Sequence, residues 1–205
     1  MDTLGAVVLS GGRARRFGSD KTRATVAGIT LLERVLAVVG ELEREGLVDE
    51  VVIVGDWAPE GVRLEPEPAR DQGPLAGLAH GLRSVDADSA LVLAADHPWL
   101  EPALLRLLVE RSSGDDTGAA PAAVVPIGAT GPEPLVAWYR SDLADTAEQL
   151  VAHGRASLRG FLDVIDTLLL PPEVWQAADP EGRSFLDVDT RDDLDRMDRP
   201  DRGRT

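Results

Sequence analysis

The chain has 205 residues, 43% of them hydrophobic, enough to enclose one sizeable core without requiring a second domain. It has no cysteine, which removes disulfides, thiol nucleophiles, iron–sulfur clusters and cysteine zinc sites, and its histidines, His80, His97 and His153, form no H-E-x-x-H pattern. A metal would have to be held by carboxylates, and with a formal net charge of −15 any anionic ligand needs a local basic site, which argues against nucleic acid or anionic lipid as a partner.

An apolar run starts after three residues with no basic segment before it, and no apolar stretch approaches the roughly 20 residues that cross a bilayer. The expected location is cytoplasmic, with no membrane contact. Residues 4–9 read as the first strand. Thr30 followed by Glu33 reads as a capping box, opening a helix that continues through Glu43. Residues 50–55 form a second apolar strand, and Pro74 starts a helix of small residues. Residues 90–95 are a third apolar run, closed by Asp96 and Pro98, and Pro102 suits the first position of the next helix.

Residues 114–120 read as a flexible connection, and residues 122–126 and 135–139 as two more strands. Ser141 can cap a helix that Gly154 ends. Residues 158–165 read as helical, 167–170 and 185–188 as extended, and an acidic helix closes the chain. Apolar runs thus alternate with helical segments, with no solenoid repeat. The pattern predicts an α/β fold: a single domain over residues 1–197 with a mainly parallel, Rossmann-like sheet and helices on both faces, then a flexible tail over 198–205.

Directly after the first strand, residues 9–21 read L-S-G-G-R-A-R-R-F-G-S-D-K. Ligands of open α/β sheets bind beyond the carboxyl ends of strands, where this loop falls. Gly11 and Gly12 let the backbone turn and bring N–H groups close to a phosphate. Between positions 13 and 23 stand Arg13, Arg15, Arg16, Lys21 and Arg23 against a single acid, Asp20, a local excess that contrasts with the acidic whole. The loop is neither a Walker A sequence nor G-x-G-x-x-G. A solvated basic surface loop is the alternative reading, and placement after the first strand favours phosphate binding.

The pattern L-x-G-G-x-x-x-R-x-G-x-D-K resembles the signature of the molybdenum cofactor guanylyltransferases and their nucleotidyltransferase relatives. G-P-L-A-G at 73–77 is similar to a second motif of that family, and Asp71 matches, within a residue or so, an aspartate that contacts the guanine nucleotide. Asp96, after A-L-V-L-A-A, resembles the magnesium-binding aspartate; a helix N-cap or turn residue is the other reading. Glu133-Pro134-Leu135 with Trp138-Tyr139, the S-L-R-G-F-L segment at 157–162, and D-V-D-T at 187–190 resemble later motifs in the right order, so the resemblance spans residues 4–197.

The resemblance implies a magnesium-dependent transfer of GMP from GTP to molybdenum-bearing molybdopterin, releasing pyrophosphate. It assigns nucleotide binding to Leu9, Ser10, Gly11, Gly12, Lys21, Asp71, Gly73, Gly77 and Asp96. It gives catalysis to Lys21, Arg15, Arg16 and Asp96, and Mg2+ to Asp96, with Asp187 as a second candidate ligand. Partners so implied are GTP, a molybdopterin-type acceptor and molybdoenzyme or cofactor-delivery proteins. Three departures bear on base and acceptor choice: Val54-Gly55-Asp56 stands where Asn-Ala-Asn is frequent, Asp187 and Asp189 replace asparagines, and Glu133 replaces Gln. CMP transfer to molybdopterin, or nucleotidyl transfer to another small phosphate, is the rival within the class. A non-catalytic nucleotide-binding module is the rival outside it, which retention of both Lys21 and Asp96 disfavours. Asp96-His97-Pro98 also lacks the D-x-D of nucleotide-sugar transferases.

Overall fold

The apolar run near the N-terminus forms strand β1 (Leu4–Leu9), and its alternating side chains set the layout of the fold. Leu4, Ala6 and Val8 enter one hydrophobic core and Val7 another, because successive strand residues face opposite sides of a sheet. A strand buried on both faces belongs in the middle, and β1 pairs in parallel with β4 (Glu50–Val54) on one side and β6 (Ser89–Ala94) on the other. The computed structural model describes residues 2–11, 23–67, 72–114, 120–190 and 192–194.

Across the sheet the order is β10 (Thr167–Leu170), β7 (Ala123–Gly128), β9 (Val136–Arg140), β6, β1, β4 and β5 (Arg63–Glu65), with the short β8 (Gly131–Pro132) paired to β7. Strand β9 runs antiparallel to both β6 and β7, while the β10–β7, β6–β1, β1–β4 and β4–β5 pairs are parallel. Strands β2 (Thr25–Val26) and β3 (Ile29–Thr30) form a separate two-stranded ribbon. Helices α1 (Leu31–Arg44), α3 (Pro102–Arg111) and α6 (Pro172–Trp175) cover the face of Ala6 and Val8. Helices α2 (Pro74–Ser84), α4 (Leu143–Ala152) and α5 (Leu158–Leu162) cover the other. The expected α/β fold, a mainly parallel sheet with helices on both faces, is therefore the observed one.

Local signals account for most element starts. The Thr30 hydroxyl accepts the Glu33 N–H at 3.1 Å while the Glu33 carboxylate accepts the Thr30 N–H at 2.8 Å, a complete capping box. Proline occupies the first turn of α2 and α3, where its missing N–H costs nothing. Three readings are corrected. Helix α4 starts at Leu143 after Asp142, because Ser141 donates its N–H to Asp88 O at 3.0 Å and so belongs to the preceding loop. The helix expected over 158–165 stops at Leu162. Residues 185–188 are not a strand: Arg183–Phe185 is a 3-10 turn, and the segment after it is fastened by the Val188 N–H donating to Asp96 O at 3.0 Å. Most of the expected flexible connection, residues 115–119, and the tail over 198–205 lie outside the described residues.

Two helical glycines separate propensity from packing. A Cβ at Gly81 in α2 would fall 2.3 Å from Val7 Cγ1, and Val7 is fully buried and stiff about χ1. At Gly40 in α1 the nearest atom to a new Cβ is Glu43 Oε2, at 3.9 Å. Gly40→Ala is expected to stabilise by about 0.5–1 kcal/mol through helix propensity. Gly81→Ala is expected to lose about 1–2 kcal/mol, because overpacking against β1 outweighs the same gain. Urea unfolding of both variants checks the opposite signs.

Candidate active site

The register of the central strands makes one edge of the sheet level. Leu9 pairs with Val54 and with Ala94, so β1, β4 and β6 end side by side. The chain builds outwards from β1 to β4 and β5, then returns to the other side of β1 as β6, so the crevice where strand order reverses lies between β1 and β6. Residues 10–11 and 95–96 leave the sheet there. Ser10 donates its N–H to Val54 O at 2.8 Å and its hydroxyl to the same oxygen at 3.4 Å, and the Ala95 N–H binds Leu9 O at 2.9 Å. Ser10 is thus buried and anchors the loop, with both donors directed into the sheet edge. Gly11 is exposed, and a Cβ there would come within 2.4 Å of the Glu67 carboxyl carbon. The flexible Glu67 side chain therefore lies against the start of the glycine loop.

Gly73 caps the N-terminus of α2 with φ 80° and ψ 174°, a conformation suited to glycine, and makes no side-chain capping bond. The first turn of α2 carries no acidic residue to offset the positive end of the helix dipole; Pro74 has no N–H there, and the Ala76 N–H donates to Gly73 O at 3.2 Å. A Cβ at Gly73 would lie 3.0 Å from Ala156 Cβ, which draws the G-P-L-A-G turn up to the S-L-R-G-F-L segment, where Ser157 caps α5. At Gly77 an added Cβ would reach only ordinary contact with the Leu9 methyls, at 3.9 and 4.0 Å. Leu9 and Gly77 thus sit together under the crevice. Arg23, last of the basic cluster, stacks its guanidinium 5.0 Å from the centre of the Trp57 ring in the loop after β4. Gly12, Arg15, Arg16, Lys21 and Asp71 lie outside the described residues.

Asp96 stands at the carboxyl end of β6, its side chain 30% exposed, in a turn closed by the His97 N–H donating to Ala94 O at 3.2 Å. Helix α3 begins only at Pro102, with Glu101 as its N-cap, so Asp96 is no helix cap, and the turn or metal-ligand reading is left. Its carbonyl accepts the Val188 N–H, which carries the exposed Asp187 to the same edge. His97 Nε2 lies 3.8 Å from Asp96 Oδ1, and His97 Nδ1 lies 2.9 Å from the carbonyl oxygen of Ser184. Ser184 is fully buried and is held by Asp179, whose carboxylate accepts the N–H of Arg183 at 3.0 Å and of Ser184 at 2.8 Å. Glu133, at the entry to β9, is half-buried; burial pushes its carboxyl above the ordinary value, the His97 charge opposes this, and the Asp187 charge adds to it.

Asp96, His97, Glu133 and Asp187 therefore face one region beside the glycine loop. Among the described residues no group of three or more His, Asp or Glu side chains is placed to hold a metal ion. The carboxylates of Asp96 and Asp187 suit a hard ion that takes one or two protein ligands and the rest from phosphate oxygens and water, as Mg2+ does. Trp57, Glu67, His97 and the Asp179–Ser184 support carried no motif in the sequence. The only sequence sign of them was His97 beside Asp96.

The sequence model of the MobA-like NTP transferase domain matches residues 6–169. A probable molybdenum cofactor guanylyltransferase of Chloroflexus aggregans is 33% identical over 200 residues, covering 93% of this chain and 91% of the relative. The crystal structure of molybdopterin-guanine dinucleotide biosynthesis protein A from Archaeoglobus fulgidus superposes with a TM-score of 0.76 at 27% identity, over 95% of this chain and 96% of that one. A Mycobacterium tuberculosis H37Rv protein solved in complex with manganese shares the fold at a TM-score of 0.59 and 19% identity, over 96% and 98% of the two chains. No helix among the described residues is long and apolar enough to cross a membrane. With the start of its glycine loop at Gly11, Gly77 of the G-P-L-A-G turn under Leu9, and Asp96 at the edge where β1 and β6 end, the chain belongs to the MobA-like NTP transferase family and is a nucleotidyltransferase.

Proposed function

We propose that the protein transfers GMP from GTP to molybdenum-bearing molybdopterin, giving the guanine dinucleotide and pyrophosphate, and works in the cytoplasm with Mg2+. The observation that carries this reading is the level carboxyl edge of β1 and β6, which sets Ser10 and Gly11, where the glycine loop begins, beside the strand end that carries Asp96. The name of the Chloroflexus aggregans relative supports the choice of guanine and of acceptor. An oxygen of the acceptor phosphate forms a bond to the α-phosphorus of GTP as the bond to the β-phosphate oxygen breaks and pyrophosphate leaves. The attacking phosphate is already anionic near neutral pH, so no strong general base is required, and the protein supplies alignment and charge neutralisation.

Lys21, Arg15 and Arg16 offset charge on the leaving pyrophosphate, and the N–H groups of the glycine loop and of the α2 N-terminus bind phosphate oxygens. Asp96, with Asp187 beside it, would hold the divalent cation, which when bound neutralises phosphate charge. Asp71 and Gly73 contact the nucleotide. The acidic exterior excludes nucleic acid and anionic membranes, and a molybdoenzyme or a delivery protein takes the product.

The deciding assay incubates the protein with Mg2+, molybdenum-bearing molybdopterin and either GTP or CTP, and identifies the dinucleotide by mass. GTP is expected to react and CTP not; a cytosine dinucleotide would instead assign CMP transfer. Asp96→Asn is expected to lower turnover at least about 100-fold, as loss of one preorganised electrostatic contact does, with little change in melting temperature and partial recovery at high Mg2+. Wild-type turnover and unchanged Mg2+ dependence in that variant would remove Asp96 from the chemistry.

Glu133 gives a pH test. Its carboxyl is raised on folding, chiefly by burial, so its contribution to stability is complete in acid and declines as pH rises through the folded value. Ionised Glu133 therefore weakens the fold at neutral pH. Glu133→Gln is expected to raise the melting temperature near neutral pH and to leave it unchanged in acid, where both side chains are uncharged, as thermal scans across pH would read.

A further inference from the structure

His97 is used by nothing in the reaction just described, yet its ring is held in place by a backbone carbonyl. Its Nδ1 lies 2.9 Å from Ser184 O, and a carbonyl oxygen only accepts, so the ring proton sits on Nδ1. In the neutral ring the lone pair is then on Nε2, which faces Asp96 Oδ1 at 3.8 Å. Nε2 and Oδ1 so placed can both reach a single cation, either a proton or a metal ion. The carbonyl that orients the ring cannot drift, because Ser184 is fully buried, its N–H is bound by Asp179 at 2.8 Å, and its hydroxyl accepts the Glu101 N–H at 2.9 Å. Asp96 is fastened independently through the Val188 N–H at 3.0 Å. An imidazole whose far nitrogen donates to a backbone carbonyl is the usual arrangement of a metal-binding histidine.

We infer that His97 Nε2 is a second protein ligand, with Asp96, to the divalent cation of this site, and that it tilts the site away from Mg2+ towards first-row transition ions such as Mn2+. The inference rests on the nucleotidyl-transfer reading only for the existence of the cation site. Adjacent ligands of one octahedral ion lie about 3 Å apart, so bringing both atoms onto the ion asks for a shift of under ~1 Å. The His97 side chain is 12% exposed and that of Asp96 30%, so both open onto the crevice and leave the remaining positions of the ion to phosphate and water. Mg2+ prefers an all-oxygen shell, whereas imidazole strengthens binding of transition ions, so one histidine changes the ranking of metals without abolishing any of them.

The test reads the metal directly. Mn2+ is added to the full chain with an α,β-methylene analogue of GTP, and the nitrogen coupling to Mn2+ is recorded by electron spin echo envelope modulation. Protein carrying 15N-histidine is compared with natural-abundance protein, so that guanine nitrogens do not contribute to the difference. The expected result is a coupling that changes with histidine labelling, persists in the His80→Gln, His153→Gln double variant, which leaves His97 as the sole histidine, and disappears in His97→Gln. The preference for Mn2+ over Mg2+ should also fall about tenfold in His97→Gln. Because the double variant assigns the signal by itself, the result stands even if His97→Gln does not fold. Bound Mn2+ without a histidine coupling would overturn the inference and leave nucleotidyl transfer intact. Failure of Mn2+ to bind at all in the presence of the analogue would overturn both.

Discussion

Everything at the site depends on the parallel pairing of β1 between β4 and β6. Parallel strands in register end together, and here Leu9, Val54 and Ala94 end in one row. The peptide groups just beyond them are then held by bonds that continue the ladder, Ser10 N–H to Val54 O and Ala95 N–H to Leu9 O. A slip of one residue in β1 would exchange Val7 for Ala6 and Val8 between the two cores and would shift the glycine loop away from Asp96 together. The hydrophobic core and the site are therefore specified by one register. Gly81, which lets α2 approach Val7, is part of the same constraint, because α2 also brings Gly77 against Leu9 at the end of β1.

Much of this was legible in the sequence because the signals are local. Strand β1 falls at residues 4–9 and β10 at residues 167–170, as their apolar runs indicate, and the Thr30/Glu33 box and the prolines at 74 and 102 start helices where capping chemistry predicts. The misreadings are at positions whose conformation is set by distant groups. Phe185, Leu186 and Val188 look like a strand, but Val188 is buried beside Leu31 and Leu186 is 51% exposed, so no sheet partner organises the segment. The direction of β9 is likewise invisible in its composition. It is set by the β7–β8 turn, where the chain reverses through Gly131 with φ 135°, and an antiparallel strand then enters an otherwise parallel sheet.

Site residues divide in the same way. Leu9, Ser10, Gly11, Gly73, Gly77 and Asp96 are carried by short motifs, each next to a strand end or helix start that the sequence already indicated; Leu9 to Gly11 and Asp96 follow neighbouring strand ends, and Gly77 packs under Leu9. The groups that orient His97 could not be found by any motif. Its partner is the main-chain oxygen of Ser184, 87 residues away, and a carbonyl leaves no mark on residue identity. Asp179, which holds Ser184, is buried three residues before Gly182 in a left-handed conformation, and nothing in the sequence reveals that this loop meets the turn after β6.

The site's charges explain why so acidic a chain can still bind a triphosphate. Burial raises the Glu133 carboxyl most, repulsion from the Asp187 charge adds to it, and the His97 charge opposes both. A cation held at Asp96 would relieve that repulsion and attract the phosphates at once, so metal and nucleotide binding are coupled through the same field. By reciprocity, a bound triphosphate raises the affinity for the cation as much as the cation raises the affinity for it. Neither ligand needs high affinity alone.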